Sequence, residues 1–230
     1  MKIVVASAVL LASIGASAAA VAQTETRQVP PFSKLSVDSG IDVELRQTDR
    51  ENLRIEVDGV ALADVESVVV DDELRLSRTG WKSRIVETAR VRAYVDFVSL
   101  TSIVASSGSD IESNGALEAE DLTVTASSGS DVELEIAARS LALEVSSGSD
   151  VEVGGTVDSF SVAASSGSDV SAGGLEARDV TLRLSSGSDA EVRATGSVDI
   201  EASSGSDVTV YGNPATRNVD TDRSSDVAWR

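Results

Sequence analysis

Most of the chemistry available to this chain sits in six copies of one pentapeptide. Ser-Ser-Gly-Ser-Asp ends at Asp110, Asp131, Asp150, Asp169, Asp189 and Asp207. A carboxylate recurring beside hydroxyls can cap a turn, ligate a hard cation or work as an acid or base. Turn capping is the commonest of these, since Asp accepts backbone N–H bonds in turns; here the donors are expected to be turn Ser and Gly residues. Calcium is the cation to consider, because it takes six to eight oxygen ligands and carboxylate-rich turns supply them. The six Asp residues, with Ser hydroxyls and carbonyls, are therefore the candidate metal ligands. The calcium coils of RTX proteins recur at nine residues, about half the interval here, so their geometry does not transfer.

Catalysis is poorly provided for. The chain has no His and no Cys, which removes the usual base near neutral pH, the commonest metal ligand and the thiol nucleophile. Apart from Lys2 the lysines are Lys34 and Lys82, neither in a Ser-x-x-Lys pattern, and a Ser without a base is a weak nucleophile. Paired glycosidase carboxylates need one acid in a distinct environment, whereas these Asp residues are the most regular part of the chain. The expectation is a protein that is not an enzyme, with a polysaccharide-acting β-helix enzyme as the remote alternative. The Gly-containing strings lack the Lys and helix of a phosphate loop.

The elements that position the Asp residues follow from the spacing. Successive Asp residues are 21, 19, 19, 20 and 18 residues apart, and a degenerate copy, Ser224-Ser225-Asp226, follows at 19. Around each copy apolar and polar residues alternate: Leu122, Val124 and Ala126 before, Val132, Leu134 and Ile136 after. A period of two is a strand signal. Parity carried through the pentapeptide turns its second and fourth residues, both Ser, inward, and its first Ser, Gly and Asp outward. The Gly relieves crowding or supplies an unusual φ. Two short strands per repeat cannot bury an apolar face alone, but stacked coils can. The expected fold is all-β, a parallel β-solenoid of ~19-residue coils. An antiparallel sandwich gives no reason for one turn to return at a near-constant interval.

Residues 23–100 are less regular. Ile41–Leu45, Leu53–Val57, Leu74–Leu76 and Val91–Val95 alternate like strands, Ala61–Val65 reads as a helical turn, and a weaker Ser39-Gly40-Ile41-Asp42 anticipates the repeat. This segment is expected to form an N-terminal β cap sharing one core with the solenoid of residues 101–230. Residues 1–22 read as a secretory signal peptide: Lys2, an apolar run from Ile3, and Ala20-Val21-Ala22 before Gln23. Export to the periplasm or cell surface follows. No later stretch is long and apolar enough to cross a membrane as a helix. The formal charge of −19, one unit more negative without Lys2, argues against nucleic acid or anionic lipid as partner.

The entry Pro31-Phe32-Ser-Lys-Leu-Ser-Val-Asp-Ser-Gly-Ile-Asp-Val-Glu-Leu45, the serial Ser/Gly turns ending in Asp, and the closing Val208-Thr-Val-Tyr-Gly-Asn-Pro214 resemble the DUF2807 family, the putative auto-transporter adhesin, head GIN domain. The resemblance runs from about residue 30 to the C-terminus. It implies a β-solenoid in a bacterial envelope protein with an adhesin-like role, and brings no catalytic residues. Two departures are a Ser in place of the family's first Gly and the lost Gly in the last copy. With residues 23–230 taken up by the solenoid, no translocating barrel is expected within them. The function expected is therefore a non-catalytic, exported, adhesin-like or scaffolding protein, with an envelope protein or a glycan as partner. A Ca²⁺-binding solenoid is the alternative. Aromatic residues make up 3% of the chain, poor support for a sugar-stacking platform. Thr123 and Thr125 are not repeated in adjacent coils, which argues against ice binding.

Overall fold

A computed structural model describes residues 7–8, 22–79 and 89–230. Most of the expected signal peptide and Lys82 lie outside the described residues. The fold is the expected β-solenoid, of about seven turns. The strands are β1 (Ser7–Ala8), β2 (Gln23–Arg27), β3 (Lys34–Val37), β4 (Asp42–Gln47), β5 (Asn52–Asp58), β6 (Val65–Val70), β7 (Glu73–Arg78), β8 (Arg90–Phe97) and β9 (Ser102–Ser106). They continue with β10 (Ile111–Ser127), β11 (Asp131–Ser146), β12 (Asp150–Ser165), β13 (Asp169–Ser185), β14 (Asp189–Ala202), β15 (Asp207–Tyr211), β16 (Thr216–Thr221) and β17 (Asp226–Trp229). The helical turn expected near Ala61–Val65 is a 3₁₀ turn at Leu62–Asp64.

From β10 to β14 each coil is one long bent strand rather than two short ones, because backbone pairing continues around the corner opposite the pentapeptide. The first half of β10 pairs with β4 (Ile111 opposite Val43), and its second half with β9 (Thr123 opposite Ser102). Each coil thus has two legs whose inward residues meet. In β11 these are Val132, Leu134 and Ile136 on the first leg, and Leu141, Leu143 and Val145 on the second. All are buried, as period-two alternation over a two-layer core demands. One cluster of buried apolar residues runs from Phe32 to Val210, so cap and repeats share a core.

Differences in coil length are absorbed at the corner away from the pentapeptide. Register shifts fall between Glu112 and Ala116, between Glu152 and Gly154, and between Ala172 and Glu176. On the pentapeptide side, Asp131 stays opposite Asp150, Asp150 opposite Asp169, and Asp169 opposite Asp189.

The pentapeptide turn corrects one expectation. The fourth Ser of each copy is inward and fully buried, as at Ser130, Ser149, Ser168, Ser188 and Ser206. The second Ser is not: Ser128, Ser147, Ser166, Ser186 and Ser204 are exposed. Parity fails there because the second Ser and the Gly both adopt positive φ, 60° at Ser128 and 68° at Gly129, and two left-handed residues turn the chain without alternating its faces. This geometry aims the Gly N–H along the stack, to the second Ser carbonyl of the next coil: Gly129 to Ser147 at 3.2 Å and Gly167 to Ser186 at 3.1 Å. The ladder therefore crosses the bend unbroken.

The buried Ser residues form a second ladder. Ser130 N–H donates to Ser149 Oγ at 3.1 Å, and Ser206 N–H to Ser225 Oγ at 3.2 Å. The hydroxyls of Ser130, Ser168, Ser188 and Ser206 donate in turn to the carbonyl that opens their own bend, as Ser188 does to Ser185 and Ser206 to Ser203, both at 3.0 Å. Losing such a hydroxyl would strand a buried donor and acceptor, a cost of about 1–3 kcal/mol per group. That requirement explains why the inward position is Ser and not a larger apolar residue.

The N-terminal end is closed by antiparallel strands. β5 pairs with β8, β2 with β5, and β6 with β7. Arg27 crosses between the layers, donating to the carbonyls of Val65 (2.7 Å) and Leu62 (2.9 Å), to Ser67 Oγ (3.0 Å) and to Glu25 (2.8 Å). A buried charge with all these partners is an acceptable lid over apolar ends.

Candidate functional site: an acidic face

The six predicted Asp residues fall in one column on the outside of the first leg, one per coil, and all are exposed. The column is longer than the pentapeptide count, because Asp42 stands beside Asp110 and Asp226 beside Asp207. Eight carboxylates are therefore stacked at about the strand spacing of ~4.8 Å. Two of them are held by the neighbouring coil: Asp207 N–H donates to Asp189 Oδ1 at 3.0 Å, and Asp226 N–H to Asp207 Oδ1 at 3.3 Å. The donors are thus the next Asp in the stack rather than turn Ser and Gly, as expected from sequence. Elsewhere in the column the N–H goes to a backbone carbonyl of the preceding coil: Asp150 to Ser130 (3.2 Å), Asp169 to Ser149 (3.3 Å) and Asp189 to Ser168 (3.2 Å).

A second acidic column lies two residues further along the same strands. Glu44, Glu112, Glu133 and Glu152 are in register, with Ser171 in the fifth place and Glu191 beyond it. Sequence reasoning passed over these residues, although an Asp–apolar–Glu triplet at Asp131-Val132-Glu133 and Asp150-Val151-Glu152 was a visible signal. Between the columns runs a groove of ≈ 480 Å³, bounded at its N-terminal end by Arg92. Residues 101–230 hold 23 of the chain's 38 acidic side chains but only 7 of its 19 basic ones, so the repeat carries most of the negative charge.

Desolvation, then the neighbouring carboxylates of the column, pushes Asp110, Asp131 and Asp169 above the ordinary carboxylate range. A proton held between stacked carboxylates relieves repulsion that would otherwise act at every coil. The last turn behaves differently. Having lost its Gly, it is held by Asp222, which accepts N–H bonds from Ser204 (2.8 Å) and Ser224 (2.9 Å) and falls to about 2. Among the described residues no group of three or more Asp or Glu side chains converges as a metal-binding set.

The sequence profile of the putative auto-transporter adhesin, head GIN domain (DUF2807) matches residues 31–214. The chain belongs to this family. Several solved structures share the family fold. A putative adhesin from Bacteroides fragilis is 19% identical with a TM-score of 0.82, covering 94% of this chain and 100% of its own. A putative adhesin from Parabacteroides distasonis is 17% identical with a TM-score of 0.74, covering 92% and 98%. A putative lipid binding protein from the same species is 15% identical with a TM-score of 0.72, covering 91% and 96%. At these identities the likeness speaks for the fold. No curated protein matches the sequence.

Proposed function

We propose that this member of the family is an exported, non-catalytic, adhesin-like protein of the bacterial envelope, and that its acidic face engages a basic surface on an envelope protein. The observation that carries the reading is the pair of in-register Asp and Glu columns on a rigid sheet. No carboxylate among them stands in the separate environment that acid–base chemistry needs. Lys and Arg side chains on a partner would answer this face directly, whereas a glycan would find few aromatic rings to stack on. Attraction of this kind weakens as salt shortens the Debye length. The test is retention of solubilised envelope proteins on the immobilised chain, alongside the triple variant Asp131→Asn, Asp150→Asn, Asp169→Asn. We expect salt-sensitive retention of basic proteins that falls at least tenfold in the variant. Equal retention by both, or none at physiological ionic strength, would end the proposal.

A second reading is that Asp110, Asp131, Asp150, Asp169, Asp189 and Asp207 take up Ca²⁺ between coils. The stacking supports it, because adjacent carboxylates repel and a divalent cation would relieve them. Side chains would have to converge further than they do now. Titration calorimetry on metal-stripped protein is expected to show binding and a raised melting temperature at millimolar Ca²⁺; no heat and an unchanged melt would remove this reading.

A further inference from the structure

The two ends of the solenoid are closed unequally. At the N-terminal end Arg27 and the antiparallel strands cover the core. At the other end, among the described residues, β16 pairs only with β14 and β17 only with β15. The inward columns run out in this last coil, where Ile200 is followed by Val219, Val208 by Val227 and Val210 by Trp229. Val219 is 42% exposed and Trp229 36%, and the large apolar residues so exposed among the described residues are these two and Val98. Arg217 lies over the Trp229 ring, 4.2 Å from its centroid, and also donates to Asn213 Oδ1 at 2.9 Å.

We infer that a second copy of this chain docks on that end, tail to tail, with each last coil extending the sheets of the other. Charge selects this occupant. The flanks of the repeat are acidic and repel one another, but residues 216–230 balance Arg217, Arg223 and Arg230 against Asp220, Asp222 and Asp226. Two copies of a balanced end meet without net repulsion, and each Arg can find an Asp across the contact. An exposed Trp with an Arg stacked on it has the composition of an interface anchor, and the open strand edges supply backbone pairing. A two-fold contact of one surface with itself closes at two copies.

The size of the end sets the strength. Strands of about six residues in layers ~10 Å apart, with their outward side chains, present about 600 Å² per copy. Standard stable interfaces bury about 800 Å² per partner, so the dimer is weak and reversible, with a dissociation constant on the order of 10 µM or above.

Sedimentation velocity from low to high micromolar concentration should show a monomer moving reversibly to a dimer. With Trp81→Phe, Trp229 becomes the single tryptophan, and its emission should shift to the blue over the same range. Val219→Asp and Trp229→Ala should each weaken association at least tenfold while leaving the main thermal transition in place. Ser161→Asp, on the outer face of β12 and far from the end, should leave association unchanged. A monomer throughout the range overturns the inference, whatever else the end binds. So does a dimer indifferent to both Val219→Asp and Trp229→Ala.

Discussion

Gly155→Ala is expected to lower the melting temperature by about 10 °C or more, the largest loss of any single methyl addition in the repeat. Gly155 sits at the corner opposite the pentapeptide with φ at +107°, where L side chains are strained. A Cβ there would lie 2.0 Å from the Ile136 carbonyl oxygen and 2.9 Å from its carbon. Both are backbone atoms of the coil beneath, so relief requires moving a coil and not a side chain. The combined cost is about 3–5 kcal/mol. Gly148→Ala is the informative control. Its φ is also positive, at +67°, but nothing lies within 4 Å of the added Cβ, so only the left-handed penalty of about 1 kcal/mol applies. Thermal melts followed by circular dichroism would decide the matter. If the two variants melt together, the close approach of coils at Gly155 is not what limits that position.

The second large effect concerns pH. Lowering the pH from 7 toward the ordinary carboxylate range, about 4, should raise the melting temperature, contrary to the usual loss of carboxylate interactions in acid. Asp110, Asp131 and Asp169 titrate above their ordinary value in the folded chain. The folded state therefore binds more protons than the unfolded state between the two values, and stability increases as pH falls through the folded ones. The groups facing them act in the same sense. They are Asp42, Asp150 and Asp189 along the column and Glu112, Glu133 and Glu152 beside it, with Arg92 opposing at one end. Easing of the overall charge of −19 adds to the gain. The trend reverses near pH 3 and below, as Asp222, lowered to about 2, loses the charge that holds the last turn. Asp131→Asn with Asp169→Asn keeps the size and a side-chain oxygen of each residue but removes two charges. This variant should melt higher than the wild type at pH 7 and respond less to acid. A wild-type melting temperature that falls steadily from pH 7 to about 4 would contradict the reading.

The strands of the repeat were legible because one physical rule, alternation over a two-layer core, holds for six or seven residues on either side of each bend. It stopped working at Ser128 and its equivalents, where two consecutive left-handed residues carry the chain round and the alternation no longer reports a face. No local pattern announces positive φ at a Ser, since only Gly makes that conformation cheap. The Asp column was readable because its members share a motif. The Glu column shares only a spacing from that motif, and emerges once register sets Glu112 beside Glu133 and Glu152. The bonds of the Asp carboxylates were misassigned for a related reason: their donors are about 19 residues away in sequence and a single strand spacing away in space. In the cap, alternation marked the strands but not their antiparallel pairing, which depends on the connections between them.

The register shifts give the molecule a fixed edge and an expansion joint. Along the pentapeptide edge every coil is locked to the next by stacked turns and buried hydroxyls, so a residue gained or lost there would break two ladders at once. At the opposite corner the chain already accommodates Ser113, Asn114 and Gly115 against the single Leu134 of the coil above, and Gly115 has open space around it. A foreign peptide spliced between Asn114 and Gly115 would leave the spacing of the acidic columns untouched. The solenoid can therefore carry added sequence on one edge while the other keeps its pitch.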